Sequence, residues 1–129
     1  MAVTTVDETL AATLRDAVAL QPVAEDALAA LSSGEDTVGI WARAASRLAG
    51  RYCDLLTALP TDTPQRRRAA VLLDYHQHLL RQTMRFACSL DHVADRRELS
   101  RRQAGAGFGP PGAELRRLLA ESAPVTRGR

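Results

Sequence analysis

The sequence predicts an all-α protein, a small antiparallel bundle of about four helices followed by a basic, partly disordered carboxyl-terminal tail. Apolar residues recur every three or four positions through most of the 129 residues, the spacing that places them on one side of a helix. No segment alternates apolar and polar residues as a half-buried strand would. Clusters rich in glycine, proline, serine and threonine separate the periodic segments and indicate loops between helices.

The first part of the chain predicts two helices divided by a proline. Thr5 followed by Glu8 forms a capping box, in which the two residues bond each other's free backbone N–H groups. The apolar positions that follow support a helix of about four turns. Pro22 suits the first position of a second, short helix, because its missing N–H would have no partner there. The segment SSGED, residues 32–36, is expected to end that helix and begin the next.

The third and fourth predicted helices carry the clearest apolar seams. The segment LPTDTP between them predicts a break in which Thr63 caps and Pro64 begins the fourth helix. That helix is expected to run from about Gln65 to the low nineties, roughly 40 Å. The seam residues are Val38, Trp41, Ala45, Leu48, Tyr52, Leu55 and Leu59 in the third helix, and Leu72, His76, Leu79, Thr83, Phe86 and Leu90 in the fourth.

Gly50 lies on the outer side of the third predicted helix. A glycine inside a helix costs about 1 kcal/mol relative to alanine. Its presence predicts either a bend in the helix or the close approach of another backbone.

Composition excludes several classes of protein. The two cysteines, Cys53 and Cys88, are too few for a disulfide scaffold or a thiolate zinc site. The amino terminus does not resemble a secretory signal, and no apolar run approaches the length that spans a bilayer. We therefore expect a cytoplasmic protein that does not insert into a membrane.

Charge is distributed unevenly along the chain. Residues 1–63 carry four arginines and nine acids, a formal −5, whereas residues 64–129 carry thirteen arginines and six acids, a formal +7. The opposite charges predict electrostatic attraction between the acidic half and the basic half, within one chain or between two copies. The basic half also makes nucleic-acid binding an alternative, although the chain has few aromatic residues to stack on bases.

The domain organisation follows from the expected end of the fourth helix in the low nineties and from the glycine- and proline-rich segment AGAGFGPPG, which cannot continue that helix. Residues 1–95 are predicted to form the bundle, and residues 96–129 a basic tail with this hinge and a short terminal helix. Phe108 is expected to be an exposed aromatic that anchors in a groove of a partner. The other predicted binding residues are Arg81, Arg85, Arg96, Arg97, Arg101 and Arg102.

The segment 72–92 contains all three histidines. His76 points into the apolar seam, whereas His78 lies about 200° further round the helix, so the two cannot share a metal ion. Asp74 with His78, and Cys88 with His92, have the spacing of a chelating pair. Neither pair reaches the ligand number that zinc requires, so we predict no metal and no cofactor.

His76 has two interpretations. A polar residue in an apolar seam is commonly a core histidine bonded to a neighbouring helix, here to Tyr52 or to a carbonyl. Alternatively, His76 with Tyr52 and Trp41 forms a small-molecule or catalytic site inside the bundle.

The segment RFACSLDH, residues 85–92, resembles the arginine-to-histidine motif of HEPN-type ribonucleases. Those enzymes are small all-α domains that usually act as dimers. The resemblance implies that Arg85 binds the scissile phosphate and that His92 acts as acid or base. It covers this motif alone, and Phe86 stands where the family usually has a polar residue.

The sequence favours a non-catalytic interaction module over an enzyme. We expect an adaptor, regulatory or assembly subunit that binds a protein partner or associates as a homodimer. The alternatives are the HEPN-like ribonuclease or RNA-binding domain using Arg85 and His92, and the small-molecule site near His76.

Overall fold

The computed structural model describes residues 5–33, 39–60, 63–87 and 107–122, which contain four helices and no strand. The helices are α1 (Thr5–Ser33), α2 (Ile40–Thr57), α3 (Pro64–Ala87) and α4 (Gly109–Ser122). α1 and α3 each pack against both α2 and α4, and they also contact each other across the bundle. The predicted all-α bundle of about four helices is confirmed, although its helices are divided differently along the chain.

α1 corrects the predicted break at Pro22. The helix is continuous over 29 residues with Pro22 in its interior, where proline normally costs about 3 kcal/mol. Pro22 is exposed, and the residues on the opposite side of the helix are buried both before and after it. Packing against the bundle therefore holds the helix together across the proline. The buried seam consists of Leu10, Leu14, Ala17, Gln21, Ala24, Leu28 and Leu31.

α2 and α3 follow their predicted seams. The hydroxyl of Thr63 accepts a hydrogen bond from the backbone N–H of Arg66 at 3.0 Å, and α3 begins at Pro64, as predicted. Trp41 and Leu55 are only half-buried, and Leu59 is buried just beyond the end of α2. Of the remaining seam residues, Ala45, Leu48, Tyr52, Leu72, His76, Leu79 and Thr83 are buried, whereas Val38, Leu90 and the Phe86 side chain lie outside the described residues.

α4 corrects the expectation for Phe108. This side chain is 1% exposed and packs in the core, where a partner could not reach it. Gly107 and Gly109 adopt positive φ angles of 71° and 60°, so the glycines form a specific turn that directs Phe108 inward. The backbone N–H of Phe108 donates to Glu25 at 3.1 Å, which joins this turn to α1. The terminal helix of the predicted tail is thus the fourth helix of the bundle.

The domain boundary and the two cysteines are further expectations from the sequence. The predicted boundary near residue 95 lies outside the described residues and stays a prediction. Cys53 is half-buried with a free thiol, whereas Cys88 is not among the described residues. In the described part of the chain, no helix combines the length and the apolarity needed to cross a bilayer.

Candidate functional site

His76 lies at the centre of the bundle with no exposed surface. Its Nδ1 is 2.7 Å from the carbonyl oxygen of Leu72, one turn earlier on α3. A carbonyl only accepts, so Nδ1 carries the proton and donates it. Nε2 is 3.0 Å from the amide nitrogen of Gln21 on α1 and must accept from it. Both ring nitrogens of a neutral His76 are therefore satisfied by the protein.

Gln21 connects this histidine to α4. Its amide nitrogen also donates to the carbonyl of Gly112 at 3.2 Å. Its amide oxygen accepts from the guanidinium of Arg116 at 3.0 Å. One side chain thus links α1 to α3 and α4, with both of its N–H donors and its amide oxygen hydrogen-bonded within the protein.

Aromatic rings enclose His76 on its remaining sides. The ring centroid of Phe108 is 4.1 Å from that of His76, and the centroid of Tyr52 is 5.1 Å away. The hydroxyl of Tyr52 donates to the carbonyl of Ala17 at 2.9 Å, and burial raises the pKa of this phenol. One of the predicted partners of His76 was the hydroxyl of Tyr52. Tyr52 does not form this hydrogen bond, and its ring packs against the imidazole instead.

Burial lowers the pKa of His76, because the charged imidazolium would lose its hydration. The Leu72 carbonyl and the charge of Glu25 act in the opposite direction, and the charge of Arg116 lowers the pKa further. A protonated Nε2 would also face the donating amide group of Gln21. These contacts favour the core-histidine interpretation over a ligand site, since a ligand would have to displace bonded and packed neighbours.

The outer side of α3 carries the other predicted polar residues. Asp74, His78 and Arg85 are exposed, and Arg81 is half-buried. Gln77 donates to Asp74 at 3.0 Å and accepts from Arg81 at 2.7 Å, so a local network ties these side chains together. Across the described ranges, no three histidine, cysteine, aspartate or glutamate side chains converge as metal ligands.

Several candidate residues lie beyond the described part of α3. Arg85 stands near its end, but the predicted partner His92 lies outside the described residues. The ribonuclease hypothesis therefore stays a prediction. The same holds for Cys88, Arg96, Arg97, Arg101 and Arg102.

The sequence interpretation missed an apolar groove between α3 and α4. Val71 is 70% exposed there, and Tyr75, one turn further along α3, is 39% exposed. The groove has a volume of about 380 Å³ and is lined by Arg67, Arg68, Val71, Leu72 and Glu114. Residues 69–73, AAVLL, are five consecutive apolar residues, which cannot all face one core from a helix. This run of apolar residues in the sequence therefore indicates that at least one of them is exposed.

Ion pairs close one side of this groove. Glu114 on α4 accepts from Arg68 on α3 at 2.7 Å and also pairs with Arg117. Arg68 reaches Glu121 at 3.3 Å as well. All the residues in these ion pairs belong to the basic half, residues 64–129. These pairs therefore do not join the acidic half of the chain to the basic half.

Comparison of the chain with protein-family models, with curated proteins and with solved structures finds no match.

Proposed function

We propose that the chain is a non-catalytic helical interaction module that binds another protein through the groove between α3 and α4. The observation that carries this proposal is the 70% exposure of Val71, a large apolar side chain in the middle of α3. Burying a valine side chain from water is worth about 1.5 kcal/mol or more, and Tyr75 would add to it. A partner that covers both residues would gain this energy.

The interior supports the same interpretation. His76 and Gln21 are bonded within the protein on every side, and the rings of Tyr52 and Phe108 fill the space around the imidazole. Such a centre stabilises the fold. Because its polar groups are already bonded, we expect binding to take place on the outer surface.

The charge of α3 favours an acidic partner segment. This helix carries five arginines and one acid, a net charge of +4. Glu114 and Glu121 offset Arg68 locally, but Arg81 and Arg85 extend the basic character further along the helix. We therefore expect the partner to present an amphipathic segment with an apolar anchor for Val71 and Tyr75, flanked by aspartate or glutamate.

Photo-crosslinking tests this proposal. A photoreactive amino acid replaces Val71 in the full chain, and replaces Ser46, an exposed residue of α2, in a matched control. Irradiation of cells that express each variant should give an adduct of defined mass from position 71 and none from position 46. Equal adducts from both positions, or none from position 71, would contradict the proposal.

Homodimerisation and nucleic-acid binding remain predictions that the same protein preparation can test. Light scattering after size exclusion at low and high salt gives the mass, and absorbance at 260 and 280 nm detects bound nucleic acid. Nucleic acid that leaves at high salt would support the basic surface as its site. A ribonuclease assay with Arg85→Ala and His92→Ala would then test the HEPN-like alternative.

A further inference from the structure

A second open site lies between α1 and α2, away from the groove of α3 and α4. This cleft has a volume of about 400 Å³, within the range of small-molecule pockets. α1 contributes one residue to its lining and α2 contributes the rest. The lining consists of Val23, Ala44, Arg47, Leu48, Gly50, Arg51 and Asp54.

No positive φ angle and no steric contact in the described part of the chain requires a glycine at position 50. α2 continues through it from Ile40 to Thr57, and its φ angle is not in the positive range that favours glycine. A Cβ atom added to Gly50 would meet nothing within 4 Å. The helix is therefore not interrupted at Gly50, and the predicted close approach of another backbone is not found among the described residues. The absence of a side chain at Gly50 leaves unfilled space in the wall of the cleft.

The other lining residues have the chemistry of a site for an amphipathic anion. Val23 is 43% exposed, and with Leu48 it forms an apolar surface. Arg47 and Arg51 lie one turn apart on the same helix, and both are exposed. Neither guanidinium forms an ion pair or a hydrogen bond with any residue that the structure describes. Asp54 leaves the lining with one net positive charge, which suits a monoanion.

We propose that the cleft between α1 and α2 binds a small carboxylate with an apolar body. Arg47 and Arg51 hold the carboxylate, since a guanidinium presents paired donors to its two oxygens. The apolar body lies against Val23 and Leu48, in the space that Gly50 leaves open. This site is independent of the groove proposed to bind protein, because the two share no residue.

Titration of the full chain with straight-chain carboxylates, followed by amide NMR, tests the proposal. Octanoate should shift the resonances around the cleft and bind more tightly than butanoate, by about fourfold for each CH₂ group that becomes buried. Octan-1-ol, which has the same apolar body without the charge, should bind at least tenfold more weakly. Equal affinity for octanoate and octan-1-ol, or shifts spread over the whole protein, would overturn it.

Variants separate the site from a nonspecific effect. Arg47→Gln should weaken octanoate binding at least tenfold, whereas Arg43→Gln makes the same change of charge on α2 outside the lining and should leave it unchanged. Gly50→Leu should abolish binding by filling the cleft, and Gly50→Ala shows whether the helix tolerates a side chain there. Undiminished binding by Gly50→Leu would overturn the proposal.

Val71→Asp, which disrupts the α3–α4 groove, should leave octanoate binding intact, so failure of either proposal is recognised separately.

Discussion

The centre of the bundle and the cleft between α1 and α2 use polar side chains in opposite ways. At the centre, His76 and Gln21 are bonded within the protein on every side. In the cleft, the guanidinium groups of Arg47 and Arg51 have no partner among the described residues. A buried group must be satisfied within the fold, because an unmade hydrogen bond there costs about 1–3 kcal/mol, whereas an exposed group is satisfied by water. An exposed group can therefore bind a ligand at little cost, whereas a buried group must first give up its bonds within the protein.

Phe108→Ala should be the most destabilising single change at the centre. Its ring fills the space beside His76 and Tyr52, so we expect a loss of about 3–5 kcal/mol in the free energy of unfolding. Urea denaturation measures this loss. Tyr75→Ala is the matched control, because it removes a partly exposed aromatic ring and should cost no more than about 1 kcal/mol. Equal costs for the two would show that α4 does not pack as described.

Gln21→Leu should destabilise the protein by about 2–4 kcal/mol although it keeps a similar volume. It leaves the Nε2 of His76 and the carbonyl of Gly112 without their donor, and Arg116 without its acceptor. Thermal unfolding measures the effect, with Gln65→Leu on the exposed first turn of α3 as the control. A Gln21→Leu protein as stable as the wild type would mean that the network contributes little.

The lowered pKa of His76 predicts a dependence of stability on pH. Below the unfolded-state pKa of about 6.5, the unfolded chain takes up a proton at His76 that the folded protein does not. Stability is therefore full above pH 6.5 and falls as the pH is lowered towards the folded-state pKa, by at most about 1.4 kcal/mol per pH unit from this group. Unfolding of the wild type and of His76→Gln between pH 5 and pH 7.5 measures the difference in slope. Parallel curves would contradict the neutral, buried histidine.

His78→Ala should have the smallest effect, no more than about 0.5 kcal/mol. Its side chain is exposed on the outer side of α3, two residues from His76. Urea denaturation of this variant beside His76→Gln compares an exposed histidine with a buried one on the same helix. A cost above 1 kcal/mol would show that the outer side of α3 is covered in solution.

The seams of α2 and α3 were predictable, but α1 was not. Their apolar positions recur without interruption, and Thr63 with Pro64 specifies where α3 begins. Pro22, by contrast, breaks a helix in isolation, and only the packing of the residues on the opposite side of α1 overrides it. Because the predicted helix ended before Pro22, the seam position of Gln21 was missed, and with it the partner of His76.

The burial of Phe108 shows a second limit. A run of glycines indicates a flexible linker when only composition is considered. Here Gly107 and Gly109 supply the positive φ angles of one turn, and Pro110 and Pro111 follow in the first turn of α4, where a missing N–H is tolerated. The bond from Phe108 to Glu25, 83 positions away, is a tertiary contact that no local pattern encodes.

The glycines of the two regions give the most direct test of the contrast between a closed centre and an open cleft. A Cβ at Gly112 would lie 2.8 Å from the Cβ of Phe108, whereas a Cβ at Gly50 would meet nothing within 4 Å. Urea denaturation of Gly112→Ala should show a loss of about 1–3 kcal/mol, and Gly50→Ala a gain of up to about 1 kcal/mol from helix propensity. Opposite signs would support the account. A loss in both variants would contradict it, since the space beside Gly50 would then be filled.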